Sequence, residues 1–361
     1  MINYKQMLVD QFYKYPKMQI QDIVKLIYQS EFAGGHLISD KNKSLKYLQE
    51  ELISISHNPT YKSQDLFENI GSNIYRLNIV PAVEAGLSLD TINEIFVQTA
   101  NNNKDSILNF ERKLDILIEA CKEGLLPFDI TSIKKYLSNY KAQGYKAVSH
   151  TDIYRSNYYP AYRIISKEYI DYIDVFTSID KLLLERERVI IAIDGMSGSG
   201  KTSLASLIEG IYDCNIFHID DYFLPPHLKT EERLKEVGGN VDYVRFNEEV
   251  IRGIKTGNNF TYKKYNCQTM SMSKELTVSP KKLNIIEGSY SMHPSLVANY
   301  DLRIFLKQSP KQQSERILKR NGKFMHKKFM DLWIPLENIY FENLKIEEVS
   351  DIVIDVTQDK S

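Results

Sequence analysis

Two kinds of hydrophobic pattern divide the chain, and the first covers residues 1–180. Apolar residues recur there at intervals of three and four, as with Ile20, Ile23 and Ile27 in the stretch 18–32. This spacing places apolar side chains on one face of an α-helix. The pattern therefore predicts a mainly α-helical N-terminal domain.

Short apolar runs rich in β-branched residues replace the helical pattern from about residue 188 onward. Such runs are typical of parallel strands that are buried on both faces. Helical stretches separate the runs, which predicts a doubly wound α/β sheet over residues 181–361. The charged segment 178–188 is the expected boundary between the two domains. The runs are VIIAID (189–194), NIFHID (215–220), LNIIEG (283–288), LRIFLK (302–307) and DIVIDV (351–356).

A segment rich in glycine and serine follows the first run. It reads GMSGSGKT and fits the phosphate-loop pattern G-x-x-x-x-G-K-[ST] at every fixed position. Glycine permits positive φ angles, so that backbone N–H groups can surround an anion, and the helix that follows adds its N-terminal dipole. We therefore predict a P-loop NTPase-type domain that binds ATP and Mg²⁺, with the lysine on the β/γ-phosphates and the threonine on the metal. The residues assigned to nucleotide binding are Gly195, Ser197, Gly198, Ser199, Gly200, Lys201 and Thr202.

Carboxylates end two of the other predicted strands. Asp220 and Asp221 follow one apolar run, and Glu287 ends another. A carboxylate at the end of a strand near the phosphate loop could accept a proton from an attacking hydroxyl or help to hold Mg²⁺. We assign the base to Asp220, with Asp221 as the alternative, and the metal to Thr202, Glu287 and Asp220.

A basic helix is predicted after the fourth run. Ser309 and Pro310 occupy its expected N-cap and first helical positions. Arg316 and Arg320 are four residues apart and therefore share a face, with Lys319 beside them. This face could clamp the phosphoryl group during transfer. A solvated basic surface is the alternative.

The segment from about 188 to 356 resembles the uridine kinase/phosphoribulokinase family of P-loop kinases. The resemblance rests on DGMSGSGKT, IDDYF, EGSY and YDLRIFLKQSPKQQSERILKR. It implies that Asp220 is the catalytic base, that Thr202 and Glu287 hold Mg²⁺, and that basic lid residues grip the phosphates. The expected activity is ATP- and Mg²⁺-dependent phosphoryl transfer to a hydroxyl of a small metabolite, such as a nucleoside.

The acceptor is expected in the polar insertion 221–282. Its candidate residues are Tyr222, Tyr262, Tyr265 and Gln268, since tyrosine faces suit a flat base or a sugar and a glutamine can read a polar edge. Packing of these tyrosines onto the sheet is the alternative. The segment YKKYNCQTMSMSKE departs from the uridine kinase pattern, because Gln268, Thr269 and Met270 stand where histidine and arginine are expected. Uridine itself is therefore not specified.

The charge balance, the length of the apolar runs and the cysteine content indicate which partners and which compartment to expect. Lysine plus arginine (46) nearly equals aspartate plus glutamate (47), which gives no reason to expect nucleic acid as a partner. No apolar run is long enough for a membrane span, and the first residues lack the pattern of a secretory signal. With three widely spaced cysteines, the chain is expected to be cytoplasmic. Whether it forms a homo-oligomer is left open.

The helical domain carries no recognised catalytic signature. Two of its polar stretches stand out: SEFAGGHLISD, which contains His36, and SHTDIYRSNYYPAYRIISKEY, which contains His150, Arg155 and Arg163. An interhelical turn and a half-buried amphipathic helix are the simplest interpretations, and an acceptor-binding or regulatory module is the alternative. A second hypothesis for the whole chain is a regulator in which ATP occupancy controls this domain or a partner. A GTPase is disfavoured because no N-K-x-D segment occurs.

Overall fold

The computed structural model describes residues 4–34, 40–56 and 65–357. The chain divides into two compact units, residues 1–180 and 181–360. None of the helices within the described ranges is both long enough and apolar enough to cross a membrane. His36 lies outside these ranges.

Helices make up most of the first unit. Several of them begin at a side chain that caps the free N–H groups of the first turn, as Ser88, Ser106 and Asp129 do. The helices are α1 (Tyr4–Lys14), α2 (Ile20–Phe32), α3 (Lys41–Ser56), α4 (Ile79–Glu84), α5 (Leu89–Asn102), α6 (Ile107–Lys122), α7 (Ile130–Ala142), α8 (Asp152–Tyr158), α9 (Lys167–Asp171) and α10 (Ile173–Glu185), which crosses the boundary between the units.

A small antiparallel sheet also belongs to the first unit, and the helical periodicity did not predict it. Its strands are β1 (Phe67–Asn69), β2 (Ile74–Asn78) and β3 (Tyr162–Ser166), in the order β1-β2-β3. The central strand IYRLN is buried at every position, so it shows no alternation of polar and apolar residues. The stretch 149–169 is accordingly a short helix, α8, followed by strand β3 and helix α9, rather than one amphipathic helix.

A buried chain of hydrogen bonds fixes His150 in the first unit. Its Nδ1 lies 3.0 Å from Asp22 Oδ1, and its Nε2 lies 2.6 Å from the hydroxyl of Tyr162. Asp22 also accepts hydrogen bonds from the N–H and hydroxyl of Thr151. Burial lowers the pKa of His150 to about 4, although the hydrogen bond to Asp22 opposes this shift. His150 is therefore neutral near pH 7 and serves this network.

A parallel sheet forms the centre of the second unit. The strands are β4 (Val189–Gly195), β5 (Cys214–His218), β10 (Leu283–Glu287), β11 (Leu302–Lys307) and β12 (Ile352–Asp355), in the order β12-β11-β4-β10-β5. Strands β4 and β10 are buried at every position, as the apolar runs predict. The predicted α/β class is confirmed. Because β4 lies between strands reached in opposite directions, its C-terminal end is where such sheets bind ligands.

Helices flank this sheet, and short strands build the insertion after β5. The helices are α11 (Lys201–Glu209), α12 (Glu231–Lys235), α13 (Tyr243–Phe246), α14 (Arg252–Thr256), α15 (Pro294–Val297), α16 (Pro310–Lys328), α17 (Ile334–Asn343) and α18 (Ile346–Val349). The strands of the insertion pair as two hairpin-like sheets, β6 (Phe260–Tyr262) with β9 (Leu276–Val278) and β7 (Tyr265–Asn266) with β8 (Ser271–Met272). Helix α16 is kinked at Gly322, whose φ is 74°.

Candidate active site

The phosphate loop joins the end of β4 to the start of α11, as predicted. Gly195, Gly198 and Gly200 have φ angles of 147°, 78° and 98°, which other residues rarely adopt. A Cβ atom at Gly195 would lie 2.3 Å from the carbonyl oxygen of Leu306 on β11. Glycine is therefore required there both for its φ angle and for the close approach of the two backbones.

Polar groups of the loop are available to an anion. The first N–H groups of α11 have no acceptor within the helix, and the Ser199 hydroxyl is buried without a hydrogen-bond partner. The Lys201 ammonium donates to the carbonyls of Gly195 (2.8 Å) and Met196 (3.1 Å) and to the hydroxyl of Ser289 (3.3 Å). These donors fit the phosphates of a nucleotide.

Thr202 and Glu287 come together as candidate metal ligands. The Thr202 hydroxyl donates to Glu287 Oε1 at 3.2 Å, and the same oxygen lies 2.5 Å from His218 Nδ1. Strands β10 and β5 pair so that Glu287 is opposite His218. The hydrogen bond to Glu287 raises the pKa of His218. Among the described residues no group of three or more His, Cys, Asp or Glu could hold a metal by itself. One hydroxyl and one carboxylate fit Mg²⁺, which takes its other ligands from water and phosphate.

Asp220 lies two residues beyond His218, in the 3-10 turn Ile219–Tyr222 that follows β5. A Cβ atom at Gly288 would lie 3.6 Å from Asp220 Oδ1, so the aspartate faces the backbone after Glu287. Its side chain reaches solvent, and the protein packed around it still raises its pKa to about 6, mainly by desolvation. Lys201 opposes this shift, whereas Glu287 and Glu337 add to it. A carboxylate with this pKa is largely ionised at pH 7 and can accept a proton.

Glu337, on helix α17, was not predicted from the sequence. Its carboxylate accepts hydrogen bonds from the Ser197 N–H (3.0 Å), the Ser197 hydroxyl (2.5 Å) and the Ser289 hydroxyl (3.0 Å). The same helix supplies Tyr340, whose hydroxyl donates to Asp194 Oδ2 at 2.7 Å. The phosphate loop is therefore bonded to a carboxylate of its own chain.

The basic helix α16 begins as predicted, with the Ser309 hydroxyl capping its first turn. Arg316 turns toward the phosphate loop, where its Nη1 lies 3.0 Å from Gln308 Oε1 and 3.5 Å from the Gly198 carbonyl. Arg320 instead bonds the side chain of its neighbour Asn321. The structure thus brings Arg316 to the loop, and a catalytic role for either arginine stays a prediction.

The four candidate acceptor residues occupy different environments. Tyr222 is fully buried, donates to Glu249 and is covered by the guanidinium of Arg245, 3.9 Å from its ring centre. Tyr265 is buried as well, the rings of Tyr262 and Phe217 pack in a T-shaped arrangement, and Gln268 is exposed. Packing thus accounts for Tyr222 and Tyr265 as they stand, and contact of any of the four with an acceptor stays a prediction.

Sequence reasoning also passed over His218, Ser289 and Asp194. His218 lies within the apolar run NIFHID, where its place two residues before Asp220 was the available signal. Asp194 is fully buried at the end of β4, and burial raises its pKa to about 6. A carboxylate inside an apolar strand was the signal for it. Ser289 is part of the segment EGSY, two residues after the last residue of β10, and carried no signal of its own.

Comparison with known proteins finds similarity of structure. No protein-family model and no curated protein matches the chain. Similar solved structures include a possible uridine kinase from Bacillus stearothermophilus, 24% identical, covering 50% of this chain and 100% of that chain with a TM-score of 0.36. Another is a candidate fructose transport system kinase from Silicibacter sp. TM1040, 20% identical, covering 46% and 89% with a TM-score of 0.37. These similarities are too weak to assign a role, and the function proposed below depends on the residues of the site.

Proposed function

We propose that the chain is an ATP- and Mg²⁺-dependent kinase that phosphorylates a hydroxyl of a small metabolite. The observation that carries the proposal is the convergence of three groups at the C-terminal ends of β4, β5 and β10: the phosphate loop with Lys201, the Thr202–Glu287 pair and Asp220. The loop with Lys201 would bind the nucleotide, the Thr202–Glu287 pair would bind Mg²⁺, and Asp220 would remove the proton.

The chain's own residues have distinct parts in this reaction. Asp220 accepts the acceptor's hydroxyl proton as the acceptor oxygen bonds to the γ-phosphorus and the bond to the β–γ bridging oxygen breaks, releasing ADP. Lys201 and the loop N–H groups stabilise the phosphate charge. Thr202 and Glu287 would hold Mg²⁺, which when bound neutralises charge on the phosphate oxygens. Arg316 adds a positive charge at the loop.

The test is an assay of the full chain with ATP, Mg²⁺ and a panel of nucleosides, sugars and sugar alcohols, followed by small metabolites extracted from cells. A phosphorylated product that requires Asp220 supports the proposal. Nucleotide binding without transfer to any acceptor would instead support the regulator hypothesis, and absence of nucleotide binding would contradict both.

A further inference from the structure

The contact between Glu337 and the phosphate loop has the chemistry of a bound anion. Glu337 is buried, and two of its three hydrogen bonds come from Ser197, the third residue of the loop. A backbone N–H and a hydroxyl that converge on a carboxylate are the donors that a phosphate oxygen would also use. In this structure a carboxylate of the same chain therefore takes up both donors of Ser197.

The position of this contact is the end of the loop that serves the β/γ-phosphates. Lysines of phosphate loops reach the β- and γ-phosphates. Here one hydroxyl, Ser289 Oγ, bonds both Lys201 Nζ (3.3 Å) and Glu337 Oε1 (3.0 Å). Two hydrogen bonds thus separate the Glu337 carboxylate from the ammonium that a terminal phosphate needs.

Electrostatic repulsion disfavours a terminal phosphate at Ser197 while the Glu337 carboxylate is still bound there. Two carboxylates already bond residues of the loop, Glu337 at Ser197 and Glu287 at Thr202. A terminal phosphate would add about two negative charges at the same place. Like charges at such close range strongly disfavour one another in a partly buried site.

We propose that Glu337 is an internal anion that competes with the terminal phosphate of the nucleotide for Ser197 and so sets nucleotide affinity. Nucleotide binding then displaces the Glu337 carboxylate together with helix α17. This inference rests on the nucleotide site of the proposed function. It further specifies that competition depends on phosphate number, being strongest for ATP, weaker for ADP and negligible for AMP.

The test compares nucleotide binding to the full-length wild-type chain and to Glu337→Gln by isothermal titration calorimetry. The glutamine keeps the shape and an oxygen acceptor for Ser197 but removes the charge. We expect ATP to bind about tenfold more tightly to the variant, within the range usual for coupled binding events, with a smaller gain for ADP and none for AMP. Glu342→Gln removes an exposed charge from the same helix and should leave all three affinities unchanged.

A second measurement follows the helix itself. Trp333 is the single tryptophan of the chain and directly precedes α17, four residues from Glu337. Its fluorescence should change when ATP binds to the wild-type chain.

Binding of ATP without this change, or equal or weaker ATP binding to a folded Glu337→Gln, would overturn the inference and make Glu337 a structural support of the loop. If Glu337→Gln does not fold, Ser289→Ala, which removes one of the three hydrogen bonds to Glu337 and leaves both donors of Ser197 for the phosphate, should still show a gain in ATP affinity, and a loss would contradict the inference. If no variant and no wild-type chain binds nucleotide, the proposed function itself fails.

Discussion

Asp220 and Asp221 are adjacent in the chain, and their carboxylates face different partners. Asp221 Oδ2 forms an ion pair with Lys264 Nζ at 2.9 Å. Asp220 instead lies against the backbone at Gly288, where its pKa responds to Lys201 and Glu287. The two aspartates therefore have different surroundings, and mutation can test whether their roles differ as well.

Asp220→Asn should fold, bind ATP and lose kcat by roughly 10²–10⁴, the range expected when a general base is removed. The measurement is steady-state turnover with the acceptor that the panel identifies. Asp221→Asn is the matched control and should retain most of the turnover, because its carboxylate is held by Lys264. Near-normal turnover in Asp220→Asn together with a large loss in Asp221→Asn would reverse the assignment.

Lys201→Ala should weaken ATP binding and turnover together, because the ammonium is the charged donor of the loop. Direct titration with ATP checks the first effect and the kinase assay the second. Lys311→Ala removes an exposed charge near the start of α16 and should change neither. Unchanged ATP affinity in Lys201→Ala would contradict the placement of the nucleotide in this loop.

Gly195→Ala should destabilise the second unit severely, by more than about 3 kcal/mol, since both its φ angle and the Leu306 carbonyl oppose a Cβ atom. Gly257 has a φ of 69° and would meet only the end of the flexible Arg188 side chain. Gly257→Ala should therefore cost about 1 kcal/mol, the usual penalty for a left-handed residue. Chemical denaturation of both variants measures the difference, and equal losses would show that the close approach to β11 is unimportant.

Stability should fall as the pH falls from about 6.5 to about 4, and His150 should account for part of the loss. Its folded-state pKa is lowered by burial, so the unfolded chain binds the proton more readily in this window. The contribution is fully present above the unfolded pKa and amounts to about 3 kcal/mol, taken from the size of the shift. Denaturation of the wild type and of His150→Asn at pH 7 and pH 4.5 should show a smaller pH dependence in the variant. The same pH dependence in both would contradict this role.

The second unit could be predicted from sequence because its signals are local. Buried parallel strands are continuous apolar runs, and a phosphate loop has a fixed spacing, so β4, β10 and the placement of Asp220 follow from neighbours in the chain. Glu337 could not be predicted, since its meeting with Ser197 depends on how α17 packs rather than on any spacing. In the first unit, strand β2 was missed because burial on both faces removes the alternation that identifies a half-buried strand.

The position of β5 at the edge of the sheet separates the segment next to Asp220 from the strands that form the phosphate loop. Selection could therefore change the two independently. Strand β4, which carries the phosphate loop, has a hydrogen-bonded neighbour on each side. Among the strands of the described residues, β5, which leads to Asp220, pairs with β10 alone and forms the margin of the sheet. Residues 221–282 extend from that margin. Substitutions or changes of length there alter what meets Asp220 without disturbing the interior strands that form the loop. For the kinase proposed above, the acceptor could therefore change while the residues that bind the phosphate donor stay the same.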